Sequence, residues 1–211
     1  MILPRLYPLV DTGLLAERGF PVEPFAEAIL DAGARLLQLR HKSPYTRGDF
    51  AVALRLAALC ESAGALFVVN DRVDIARLAG AALHLGQDDL PAPAARKLLG
   101  PAAPIGLSTH NETQLRAAAA EPVDYLALGP FFPTASKHNP GPVLGAAEFA
   151  RLRGLTSLPL VAIGGITRAN ALEAVAAGAG SVAVISDLIP GELTPRAVRA
   201  RTEEWLQLLK T

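Results

Sequence analysis

Eight short runs of branched apolar residues recur about every 25 residues along this 211-residue chain, and alanine- and leucine-rich stretches of helical spacing fill the intervals. No linker-like segment divides the pattern. These observations predict an α/β protein, a single-domain (β/α)8 (TIM) barrel spanning residues 1–211.

The predicted strands, in order, are Leu6 to Val10, Leu36 to Leu39, Leu66 to Val69, Ala82 to Leu85, Ile105 to Ser108, Tyr125 to Leu128, Leu160 to Ile163 and Ser181 to Ile185. Strands so nearly apolar need cover on both faces, and a succession of them meets that need by closing on itself. The second connection carries Phe50, Leu54, Ala57, Ala58 and Glu61 at helical spacing, which predicts a helix with its packed face on those positions. Asp71 to Asp74 reads as a helix start and Thr109 to Glu112 as a capping box, while Gly64, Gly80, Gly100 and Gly178 stand where helices should stop. An open doubly wound sheet is the alternative. It would carry a glycine-rich dinucleotide turn after the first strand, and Asp11, Thr12, Gly13 and Leu14 do not supply one. The largest irregular stretch, Pro130 to Leu144, reads as an active-site lid, with Phe131 and Phe132 excluding water.

Composition narrows the function classes. Twenty basic residues balance twenty acidic ones, so no long-range field gathers nucleic acid or an acidic membrane surface, and any anion must be held locally. A 51% hydrophobic, 19% charged chain is too apolar for disorder and too often interrupted for a membrane protein. The lone Cys60 makes no intrachain disulfide and reads as a small core residue, and no signal peptide is evident, so a cytoplasmic setting is expected. A homo-oligomer is compatible with the sequence.

In a parallel barrel the carboxyl ends of the strands converge on one mouth, so polar residues just after each apolar run become neighbours. Gln38, Arg40 and Lys42 follow the second strand at a spacing of two, pointing one way while Leu37 and Leu39 point to the helices. Asn70 and Asp71 follow the third, and His84, Gln87, Asp88 and Asp89 the fourth. The fifth ends in Ser108, Thr109 and His110, and the lid holds Thr134, Ser136 and Lys137. Gly164 and Gly165 lead into Ile166 and Thr167 after the seventh strand, where backbone amides at a helix start would cradle an anion, and Ile185 and Ser186 follow the eighth.

Asp71 and Asp89, with no nearby cysteine, suit magnesium rather than zinc, with a phosphate completing the coordination. Taken singly, each of these residues has a plain reading too. Asp71 would cap a helix, Asp88 or Asp89 would lie in a solvated turn, and the paired glycines would make a tight turn. His84 reads as a core or supporting histidine, and His110 as either a proton carrier or a polar loop residue.

Six segments together resemble the thiamine phosphate synthase family over nearly the whole chain: QLRHK at Gln38 to Lys42, VNDRVD at Val69 to Asp74, HLGQDD at His84 to Asp89, GLSTH at Gly106 to His110, DYLALGPFFPTASK at Asp124 to Lys137 and AIGGI at Ala162 to Ile166. The resemblance implies a transferase that joins hydroxymethylpyrimidine diphosphate to hydroxyethylthiazole phosphate, releasing diphosphate, with magnesium as cofactor. It implies that Gln38, Arg40, Lys42, Asn70, Ser108 and Lys137 surround the pyrimidine diphosphate, with Arg40, Lys42, Ser108 and Lys137 the catalytic set. Asp71 and Asp89 would hold Mg2+, the motif favouring Asp89 over Asp88. Thr134, Ser136, Gly165, Ile185 and Ser186 would receive the thiazole phosphate. Ser136 stands where the family more often has threonine and keeps the hydroxyl.

Two rivals share the barrel. A thiazole tautomerase would use His110 as its acid–base residue and needs no metal acids, because an isomerase expels no diphosphate; Asn70, Asp71, Gln87 and Asp89 therefore favour the synthase. A non-catalytic barrel that binds thiamine precursors would have no use for groups that stabilise a leaving group.

Overall fold

The computed structural model describes residues 1–134 and 141–210. Its described residues form a closed barrel of eight parallel strands in chain order: β1 (Leu6–Asp11), β2 (Leu36–Arg40), β3 (Leu66–Asn70), β4 (Ala82–Leu85), β5 (Ile105–Thr109), β6 (Tyr125–Leu128), β7 (Leu160–Ile163) and β8 (Ser181–Val184). Closure runs through the register Leu6↔Val182, Tyr7↔Ala183 and Pro8↔Val184. Around the barrel lie α1 (Thr12–Glu17), α2 (Val22–Asp31), α3 (Arg47–Ser62), α4 (Val73–Ala79), α5 (Ala92–Leu99), α6 (Glu112–Ala118), α7 (Gly145–Arg153), α8 (Ala171–Ala176) and α9 (Pro195–Leu208). A 3₁₀ turn, Ser186–Leu188, follows β8. Among the described residues no helix is long and apolar enough to cross a membrane.

Strand alternation divides the buried side chains into two layers. Leu6, Val10, Leu37 and Leu39 belong to the layer between sheet and helices, whereas Tyr7, Leu9, Leu36, Val68, Tyr125, Ala127 and Val161 fill the barrel interior. Four strands run one polar residue further than predicted, to Asp11, Arg40, Asn70 and Thr109. The ladder continues through Asp11↔Arg40, Asn70↔His84 and Thr109↔Leu128, so apolarity ends before the strand does. The eighth strand is one residue shorter than predicted. Ile185 leaves the ladder to open the 3₁₀ turn.

Helix starts differ from the sequence reading. Thr109 caps nothing: it is a buried β5 residue whose hydroxyl donates to the Ala127 carbonyl at 2.9 Å, and Asn111 caps α6 instead by accepting from Gln114 N. Asp71 is not the cap of α4 either, because its carboxylate turns to Lys42. A full capping box does exist, at Thr46 and Asp49 before α3. That helix buries Ala53, Leu56 and Cys60, whereas Leu54, Ala58 and Glu61 face outward. The predicted face is therefore rotated, since packing against β2 and β3 selects the stripe that fits, not the stripe with the largest residues. Cys60 is a core residue, and burial pushes its thiol up to about 12. The four glycines stand just past α3, α4, α5 and α8, as predicted; at Gly80 a φ of 63° gives α4 the left-handed cap that favours glycine.

Candidate active site

The site begins as a floor of hydrogen-bonded side chains crossing the barrel from strand to strand. Gln38 Nε2 donates to Tyr7 Oη at 2.7 Å, Tyr7 Oη lies 2.8 Å from Tyr125 Oη, Tyr125 Oη lies 3.0 Å from His84 Nδ1, and His84 Nε2 lies 2.9 Å from Ser108 Oγ. Burial, ahead of every other cause, raises both phenols well above their ordinary value, so each keeps its proton. With a neutral imidazole the chain runs head to tail from the Gln38 amide to Ser108, and every linking proton has an acceptor. Space for Tyr125 depends on Gly106. A Cβ there would come within 2.1 Å of the ring.

Above this floor opens a cavity of about 140 Å³. Gln38, Arg40, Lys42, Asn70, Asp71, Ser108, Thr134, Gly165, Ile185 and Ser186 all line it. Asp89 adjoins it through Asp71. Ser136 and Lys137 lie outside the described residues, as does the part of the predicted lid at 135–140.

Charge is concentrated on the β1–β4 side. Arg40 forms an ion pair with Asp11, which also caps α1 by accepting from Leu14 N at 3.0 Å. Lys42 Nζ donates to Asp71 Oδ2 at 2.5 Å. Asp71 is the non-glycine residue among the described ones with positive φ, 64°, a conformation aspartate tolerates better than most side chains. Its amide donates to the His84 carbonyl at 2.8 Å, which fixes the turn that aims the carboxylate at the mouth. Burial first, and then a hydrogen bond with the Asp89 carboxyl, raises Asp71 above the usual aspartate range, against the opposing pull of Lys42. Asp89 Oδ2 accepts from Gly86 N at 2.6 Å, while Asp88 is exposed.

Two carboxyl groups close enough to share a proton, on oxygen alone, form a donor set that fits a hard divalent cation. No group of three or more His, Cys, Asp or Glu side chains suited to a metal occurs among the described residues. Such an ion would therefore take its other ligands from phosphate and water.

The opposite side is backbone-rich. Gly164 and Gly165 have φ of 100° and 66°, and a Cβ on Gly165 would meet the Pro133 carbonyl at 2.4 Å. The Phe131 amide donates to the Ile163 carbonyl at 2.8 Å and that of Phe132 to Gly164 at 2.9 Å. The glycines are thus required by close packing of the segment after β6, and they do not start a helix. A turn intervenes before α8, in which Thr167 N donates to Asn170 Oδ1 and Asn170 Nδ2 to the Gly165 carbonyl. Phe131 does not cover the mouth. It is fully buried with its ring 5.2 Å from that of Phe149, so it anchors the segment from below. His110 reaches the cavity wall, with Nδ1 donating to the Gly129 carbonyl at 2.7 Å.

Sequence reasoning missed Tyr7, Tyr125 and Asp11. Counting by twos back from the polar end of β1 points Asp11, Leu9 and Tyr7 inward, and that signal would have found two of the three.

A family model described as thiamine monophosphate synthase matches residues 6–188. The thiamine-phosphate synthase of Koribacter versatilis is 44% identical over 98% of this chain and 96% of its own length. That of Myxococcus xanthus is 43% identical over 93% and 91%. Among solved structures, thiamine phosphate pyrophosphorylase from Pyrococcus furiosus superposes with a TM-score of 0.82 at 30% identity, covering 97% of this chain and 96% of that one. With a matching barrel and near-complete coverage at these identities, the chain belongs to the thiamine-phosphate synthase family of transferases.

Proposed function

We propose that the mouth of the barrel condenses hydroxymethylpyrimidine diphosphate with hydroxyethylthiazole phosphate, and that the two sides of the cavity divide the substrates between them. The observation that carries this division is the gathering of Arg40, Lys42, Asp71 and Asp89 on one rim, opposite the turns at Gly165 and Ser186. Gln38, Asn70 and Ser108 take the pyrimidine and the near part of its diphosphate. Arg40 and Lys42, joined by Lys137, hold the rest. Thr134, Gly165, Ile185 and Ser186, joined by Ser136, receive the thiazole phosphate.

The methylene carbon–oxygen bond breaks with its electron pair leaving on diphosphate, and the aminopyrimidine ring delocalises the positive charge that develops. The thiazole nitrogen then donates its lone pair to the methylene carbon, giving thiamine phosphate and free diphosphate. No strong base is required, so the protein's contribution is alignment, exclusion of water and fixed positive charge facing the leaving group. Asp71 and Asp89 would hold Mg2+, which when bound supplies further neutralisation of the diphosphate. Lys42, paired with Asp71 in the structure, stands at the same rim and would face the phosphates if Asp71 held the cation. The hydrogen-bonded chain through Tyr7, Tyr125 and His84 ties Gln38 to Ser108 across the floor, so the pyrimidine meets pre-oriented partners. A cytoplasmic setting is part of the same proposal and rests on the lone buried thiol.

Incubation of the protein with both precursors and Mg2+ should yield diphosphate and thiamine phosphate in equal amounts. Conversion of a thiazole tautomer alone would instead select an isomerase, and saturable binding without product a carrier.

A further inference from the structure

Behind the cavity, the loop after β7 and the turn after β8 are joined by charged contacts for which the proposed chemistry has no use. Arg168 Nε donates to Asp187 Oδ2 at 2.9 Å, and the Arg168 backbone amide approaches the same oxygen at 3.4 Å. The other end of that guanidinium pairs with Glu204 on α9. Arg201, also on α9, donates from Nη1 to the Asp187 carbonyl at 3.0 Å, and its Nε lies 3.5 Å from Glu204. Asp187 is mostly buried, with its side chain 16% exposed.

Two members of this cluster, Arg168 and Asp187, sit close in sequence to residues of the cavity wall. Asp187 follows Ser186, and Arg168 follows Ile166 by two positions. Within the first loop, Asn170 bonds both Thr167 N and the Gly165 carbonyl, so a displacement of Arg168 is passed to the glycine turn. One phosphate that touches both walls needs them at a set separation. If nothing held that separation, ordering the two loops would be charged against each binding event.

We propose that Arg168 and Asp187 are positioning residues for the phosphate of the second substrate, holding the Gly165 turn and the Ser186 turn at the spacing one phosphate group spans. This rests on the reading above that this side of the cavity takes the thiazole phosphate. Neither Arg168 nor Asp187 lines the cavity. Their loss therefore acts on the binding of one substrate and spares the chemical step.

Steady-state kinetics with both substrates varied tests the proposal in Arg168→Ala, Arg168→Gln and Asp187→Asn, beside Ser186→Ala. The three clamp variants should raise KM for the thiazole phosphate about tenfold, leaving kcat and KM for the pyrimidine diphosphate within about twofold. Arg168→Lys should recover most of the loss. A merely structural role would move both KM values together or lower only the melting temperature, and either result overturns the proposal. Should Ser186→Ala raise the thiazole KM while the clamp variants leave it unmoved, the clamp is refuted and the reading of the site stands. Should none of the variants move it, the thiazole phosphate binds elsewhere, and the positioning role falls with that reading. Arg168→Gln alters a side chain one-third exposed, so the comparison holds even if Asp187→Asn does not fold.

Discussion

Three features act on the Asp71 carboxylate: a left-handed backbone, the bond to Lys42 and the nearby Asp89 carboxyl, which with burial raises its pKa. A raised aspartate in the metal-free protein contributes stability that is present below its unfolded-state pKa and is lost as pH rises through the higher folded value. Because a dication binds the ionised carboxylates, Mg2+ affinity should fall as pH drops through the same window. Asp71→Asn should flatten the pH dependence of metal-free stability and raise the Mg2+ half-saturation at least about tenfold. Thermal melts across pH and a metal titration of turnover check the two halves; an unchanged titration would remove Asp71 from the metal site.

Asp11 separates two roles that one substitution can tell apart. Asp11→Asn keeps an N-cap acceptor for Leu14 but removes the partner of Arg40, whereas Asp11→Ala removes both. The first should raise KM for the pyrimidine diphosphate with little loss of stability. The second should cost about 1 kcal/mol more in urea denaturation. Equal stability of the two variants would show that the cap contributes nothing.

At the scale of elements, the floor of the site depends on a strand residue that has no side chain. Gly106→Ala places a methyl group against the Tyr125 ring, which is fully buried and has no solvent side to yield toward. The overpacking should cost about 1–3 kcal/mol, and the displaced phenol should loosen the path from Tyr7 to Ser108, lowering turnover as well. Full activity at lowered stability would show that the floor orients nothing. A glycine inside a strand pattern hints at a close approach, but the partner, Tyr125 on β6, comes from 19 residues later in the chain. Only register makes them meet: Gly106 pairs directly with Tyr125. The rotated face of α3 and the misread cap at Thr109 have a similar origin. Local spacing identifies a helix and a capping-type residue, whereas tertiary packing chooses which stripe is buried and whether a threonine ends a strand or starts a helix.

For the whole molecule, the repeat of strand, turn and helix was legible because it is local: apolar runs, helix-stopping glycines and polar strand ends each show within a few residues. From that repeat the barrel follows, and from the barrel the gathering of Gln38, Arg40, Lys42, Asn70, Asp71, Ser108 and Ser186 at one mouth. The local pattern of the chain is thus enough to bring these seven residues to one cavity, because all strands of a parallel barrel end on one side. Which of them touch was decided by the tertiary structure. The Arg40–Asp11 pair, the Lys42–Asp71–Asp89 cluster, the packing of Gly165 under Pro133 and the Arg168–Asp187 clamp each join different strand–helix units. Contacts of that kind depend on barrel stagger and side-chain direction, neither of which any single unit of the chain encodes.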